Sequence, residues 1–206
     1  MSTSRFAASG GTHYHHGDLR NALLSSARDV ARELGSERVT LREVARRAGV
    51  THTAAYNHFE NRTDLLRGLA VDAFTRLASD MRHVSESEAL GLEDLCVAYL
   101  RFALANPAEF EFMFRRSLCM PEGVFDPIED ASRESQQILL DQVMRQQNAG
   151  QLAAGEPSDL ALVVWSQIHG ISTIVLQTPA FKSLSPEGAE HLARQGIRAI
   201  VAGIGK

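Results

Sequence analysis

Residues 41–59, LREVARRAGVTHTAAYNHF, hold the side chains best suited to reading another molecule. On a short helix beginning at Thr51, the outward residues would be Thr51, His52, Thr53, Tyr56, Asn57 and His58. All are polar, none is acidic, and several can bond a base edge or a phosphate oxygen. The stretch before them supplies what two short helices need to cross steeply. Small Ala45 stands at the contact, Gly49 in the turn, and Val44, Ala48, Val50 and Ala55 at the apolar anchors. That is a helix-turn-helix pattern, and major-groove reading is the chemistry it would serve. Similar spacing also arises by chance in helical proteins, so the skeleton alone leaves a plain helical pair open. Thr40, at the start of the first short helix, would offer a phosphate both hydroxyl and amide. Arg62, near the start of the next helix, would add a phosphate contact.

Positioning these residues falls to helices. Apolar residues recur at three and four throughout, and no alternating strand pattern appears. The spacing predicts a first helix over Asp18–Leu34 and short helices over Leu41–Ala48 and Thr51–Phe59. A long one follows, capped by Thr63 and reaching Arg82. Five more follow: from Leu92 to Asn106, after the Asn106-Pro107 pair that caps it, over Pro127–Asn148, from Ser158 to Gln177, and from Ser185-Pro186 onward. The helix to Gln177 is apolar almost all round, from Leu160 to Val175, and is expected to be buried on every face. The fold class is all-α.

The chain has 206 residues, enough for one large domain or two smaller ones, and its 44% hydrophobic residues support a packed core. Two cysteines without paired spacing exclude a disulfide framework or Cys-rich zinc site. No unbroken apolar run approaches the ~18 residues of a membrane span, and no secretory signal is visible, so a cytoplasmic protein without membrane attachment is expected. Net charge is −4, but unevenly spread. The first 62 residues carry nine arginines against six carboxylates; the remainder carries 12 basic against 19 acidic residues. A basic head on an acidic body suits phosphate binding at one end. No nucleophile–base motif, glycine-rich phosphate loop or spaced carboxylate pair appears, so neither an enzyme nor a cofactor site is expected. His13, His15 and His16 have no carboxylate or cysteine at ligand spacing, and no metal site is assigned to them.

The continuation YNHFENRTDLL sharpens the reading. Together with Gly49-Val50, the residues Tyr56, His58-Phe59, Arg62 and Leu65-Leu66 resemble the motif of the TetR family of bacterial transcriptional regulators, and YHHGDLRNALLSSARDVARELG resembles its lead-in and first helix. The resemblance implies that Tyr56 and His58 touch DNA backbone or bases and that Phe59 anchors the core. Arg62 stands where lysine is more usual, with the charge kept. Asn57 stands where an aromatic or basic residue is frequent; an Asn pairs bidentately with adenine, so an A·T preference is expected there.

The implied organisation is a DNA-binding head over residues 17–76 and a helical effector-binding and dimerisation body over 86–206. The implied partners are a double-stranded palindromic operator, a second copy of the chain, and a small apolar or aromatic effector. WSQIHG, Trp165–Gly170, resembles the Trp-x-x-x-His-Gly signature of one subgroup. Candidate effector contacts are Phe102, Phe110, Met113, Phe114, Trp165 and His169, with Met120, Phe125 and Met144 as further wall residues. Aromatic and Met stripes at helical spacing are more often plain core, and that reading stays open for each. The last two helices are expected to pair across a dimer. The function expected is an effector-released repressor; an activator or effector-independent repressor of the same family is the alternative, and a helical carrier or enzyme a remote one.

Overall fold

Where apolar residues recur at helical spacing, the chain is helical. The computed structural model describes residues 16–121, 124–181 and 183–204, and among them are nine α-helices and no strand. They are α1 His16–Leu34, α2 Leu41–Ala48, α3 His52–Tyr56, α4 Arg62–Ser85, α5 Leu92–Ala105, α6 Pro107–Met113, α7 Pro127–Asn148, α8 Pro157–Gln177 and α9 Pro186–Ile204. His13 and His15 lie outside the described residues, as does the His16 side chain.

The ends of the helices differ from expectation for local reasons. Asn61, not Thr63, caps α4: its side chain accepts the Asp64 N–H at 3.0 Å, while Asp64 accepts the Glu60 N–H at 3.0 Å. Pro107 opens α6 as expected, but the Asn106 side chain caps nothing there; it donates to Phe102 O at 2.9 Å and accepts from Arg76 at 3.2 Å. Pro157, a residue before Ser158, opens α8. The expected third helix closes early at Tyr56, and residues 57–59 continue as a turn bonded to Thr53 and Ala55.

At about 1.5 Å per residue, α4 is about 36 Å long. It packs on α1 of the head and on α5, α6 and α7 of the body. Leu65, Leu69, Ala70, Ala73 and Leu77 are buried along one stripe, so a single apolar core runs from head to body. Ion pairs dock α9 on α5: Arg101 with Glu190, Arg194 with Asp94, and Arg198 with Glu93.

The expectation that α8 is buried all round fails. Ala161, Val164, Ile168, Ile171 and Val175 face the core, but Leu162, Val163 and Ile174 are 59%, 42% and 48% exposed. By length and composition this helix could cross a bilayer, yet its inner face packs on α5, α7 and α9.

Gly68 is needed for close approach. A Cβ there would stand 2.9 Å from a ring carbon of Phe59, which is only 1% exposed and has nowhere to retreat. Overpacking costs about 1–3 kcal/mol, against roughly 1 kcal/mol of helix propensity gained. Gly68→Ala should therefore lower the unfolding free energy by about 1 kcal/mol, read as a lower urea midpoint with unchanged slope.

Candidate functional site

The head is organised by two threonine caps around one glycine turn. Thr40 is extended, and its Oγ1 accepts the Glu43 N–H at 3.2 Å to cap α2. Gly49 is left-handed, with φ 69° and ψ 27°. Its N–H bonds Arg46 O at 3.3 Å and that of Val50 bonds Ala45 O at 3.0 Å, a closure that favours a residue lacking Cβ. Thr51 Oγ1 then accepts the Ala54 N–H at 3.2 Å to cap α3. Each hydroxyl oxygen is engaged as an acceptor, and each keeps its O–H to donate, which is what a phosphate oxygen takes. Val44, Ala45 and Ala55 are buried where the helices meet.

Thr40, Thr51, His52, Thr53, Tyr56 and Asn57 lie at the surface, while His58 is half-buried. The His52 and Tyr56 rings meet edge to face at 4.6 Å, so they present one joint surface. Arg62 is differently engaged. Its Nε donates to Val39 O at 2.8 Å and its guanidinium also donates to Ser36 O at 3.1 Å, pinning the α1–α2 connection to the start of α4. Sequence reasoning missed Arg38 and Arg42. Both are exposed, and among the described residues neither side chain has a hydrogen bond or ion pair. By contrast Arg46 pairs with Glu43 at 2.6 Å and Arg47 with Glu33 at 2.5 Å. The signal for Arg42 was a cation two residues beyond a capping threonine.

In the body, α4 to α8 enclose a cavity of about 700 Å³. Of the six candidate effector contacts, Met113, Phe114 and Trp165 line it, as does Met120. Phe102, Phe110 and His169 do not. Phe102 is buried beneath the Arg76 guanidinium, 5.4 Å from its ring centroid. Phe110 and His169 stand behind the lining: His169 stacks on Trp165 at 5.2 Å, meets Phe114 at 4.4 Å, and shares a 2.9 Å hydrogen bond between its Nδ1 and the Tyr99 hydroxyl. Phe125 and Met144 are 70% and 44% exposed, too far out to be walls. Tyr99, Cys96 and Cys119 line the cavity unforeseen; nothing in their spacing marks them. Burial pushes the Cys96 thiol up to about 12, so it stays protonated. No cluster of metal-ligating side chains occurs among the described residues.

A capped helix-turn-helix with an acid-free polar outer face, on a helical body, defines a DNA-binding regulator. The chain belongs to the TetR family. Residues 23–69 match the model of bacterial regulatory proteins of the tetR family, and residues 92–200 that of the tetracyclin repressor-like C-terminal domain. Solved structures agree. A protein of unknown function from Rhodococcus sp. RHA1 is 29% identical, with a TM-score of 0.76 over 95% of this chain and 100% of its own. A transcriptional regulator from the same organism is 20% identical, with a TM-score of 0.68 over 91% and 98%. The TetR family transcriptional regulator PfmR from Thermus thermophilus is 17% identical, with a TM-score of 0.63 over 88% and 95%. No curated protein matches the chain.

The aromatic box around His169 has a pH consequence. Tyr99 from α5, Phe110 from α6, Phe114 just beyond α6 and Trp165 on α8 face the imidazole, and burial lowers its pKa below the ordinary 6.5. The folded chain therefore holds this proton less readily than the unfolded one. The contribution to stability is complete above pH 6.5 and is lost as the pH falls below it. Melting temperatures between about pH 7.5 and 5.5 should fall less steeply in His169→Gln than in the parent.

Proposed function

We propose that this chain is an effector-released repressor that acts as a homodimer on a palindromic operator. The observation that carries the reading is the exposed, acid-free face of α3, the helix that Thr51 caps. Thr40, Thr51, His52, Thr53, Tyr56, Asn57 and His58 are the proposed DNA contacts, with Arg42 added to Arg62 near the phosphates. The head extends over residues 17–76 and the body over 86–206. In a symmetric dimer the recognition helices would enter successive major grooves ~34–36 Å apart. The chain carries no catalytic activity in this reading and works in the cytoplasm.

Support for a dimer comes from α8 and α9. Val163, Ser166, Gly170 and Ile174 form an uncharged ridge at the surface of α8, and a Cβ at Gly170 would meet nothing. Leu192, Gln195, Ala199 and Ala202 continue it on α9. Two such helices from each copy would make a four-helix bundle, with the small residues allowing close approach.

Support for effector release comes from the ties between cavity wall and α4. Arg67 Nε donates to Leu118 O at 2.7 Å, beside the lining residues Cys119 and Met120. Arg76 pairs with buried Glu109 of α6 and with Asp72, which also takes Arg28 of α1 at 2.8 Å. An effector pressing on the α6 side would thus bear on the helix that holds the head through Arg62. A roughly 100-fold loss of DNA affinity requires ~2.7 kcal/mol of such coupling.

Gel shift with DNA upstream of the chain's own gene tests the reading. Specific binding that weakens steeply between low and physiological salt is expected; a flat response would overturn it. Asn57→Ala should cost about 1–3 kcal/mol on A·T-bearing sites and little on others. Uniform loss on all sequences would make Asn57 a backbone contact. Val163→Glu with Leu192→Glu should convert a dimer to a monomer in light scattering.

A further inference from the structure

We infer that the body cavity takes an apolar, ring-bearing molecule that carries an anionic group, with Arg116 as the residue that receives the anion. The inference rests on the cavity being an effector site, as proposed above, and goes on to name the class of molecule.

The walls favour rings. Phe74, Tyr99, Phe114 and Trp165 bring four aromatic faces to a space of about 700 Å³, a volume ordinary for a small-molecule site. The charge comes from the rim, where Arg116, Asp126 and Glu129 are the charged lining residues. Asp126 is committed to its own loop. Its two oxygens accept the Met120 and Ile128 N–H groups at 2.8 Å each, and nearby Arg67 helps hold its carboxyl below the usual range. Glu129 pairs with Arg133 at 3.1 Å, outside the cavity lining. Arg116 is left over: among the described residues its guanidinium has neither ion pair nor hydrogen bond. On a body that is acidic as a whole, the cavity rim carries a cation whose neighbours are already satisfied.

The other polar lining residues do not compete for an anion. Ser132 and Ser135 donate to the backbone oxygens of Glu129 and Ser132 at 2.7 and 2.8 Å, Gln136 donates to Ser132 Oγ at 3.2 Å, Ser158 donates to Glu156 at 3.1 Å, and the Tyr99 hydroxyl shares its bond with His169. These hydroxyl and amide groups are thus engaged within the protein, and Arg116 is the cationic lining residue left for an anionic ligand. A guanidinium fork matches the paired oxygens of a carboxylate or sulfonate, and such charge-assisted bonds are about twice as strong as neutral ones.

Two dyes of nearly the same shape isolate the anion. 1-Anilinonaphthalene-8-sulfonate and N-phenyl-1-naphthylamine differ by the sulfonate, and both brighten in apolar sites. Trp165, the chain's one tryptophan, lines the cavity and reports occupancy by energy transfer. With the full chain, the sulfonate should bind about tenfold more tightly than the neutral dye and displace it. Arg116→Gln should bring the two within about twofold while leaving the neutral dye's affinity unchanged, which also shows the variant is folded. Arg116→Lys should keep most of the preference. Equal affinity in the parent, or a preference that survives Arg116→Gln, overturns the anion inference and leaves the cavity standing as a neutral-ligand site. Failure of both dyes to quench Trp165 overturns the effector site itself.

Discussion

A five-residue helix cannot hold itself together in water, so the orientation of α3 depends on what lies beneath it. Its exit is fixed by Phe59, whose ring is seated in the core against Gly68 with Arg20 stacked above at 5.0 Å from its centroid. The Gly49 turn and the Thr51 cap fix its entrance, and Ala55 buries its inner side. Between those points the exposed residues have little freedom to drift. A reading surface built on so short an element is precise only because Ala55 within it and Phe59 just beyond it are buried.

The same ring joins the head to everything below. Gly68 belongs to α4, and α4 touches α1 on one side and α5, α6 and α7 on the other. Burial is continuous from Leu23 in the first helix to Ile197 in the last, so no hydrated seam separates the two ends. Polar ties follow that route: Arg28 to Asp72, Asp72 to Arg76, Arg76 to Glu109. Bistability in a packed protein comes from elements that can shift between discrete arrangements, and under the proposed effector release α4 is the element that would have to shift.

Much of this was legible in the residue pattern. Helical periodicity gave each helix, because apolar spacing responds to the same core that buries it. Gly49, Thr40 and Thr51 were readable because turn and cap chemistry is local. What the pattern hid was partner choice. Arg62 has the charge of a phosphate ligand, and only the fold brings Val39 and Ser36 carbonyls to it. His169 and Trp165 share a helix face, and only the packing of α6 decides that Trp165 lines the cavity while His169 backs it. On α8, composition promised burial on all sides, yet Val163 and Ile174 are exposed in a single chain, since hydrophobicity does not say whether the cover is one's own chain or another.

That uncovered ridge on α8 and α9 bears on dosage. If the proposed dimer forms through it and is needed to grip two half-sites, the population of competent molecules at low abundance would rise with the square of chain concentration. Genes under such control would respond to a modest change in regulator synthesis as to a threshold, before any small molecule intervenes.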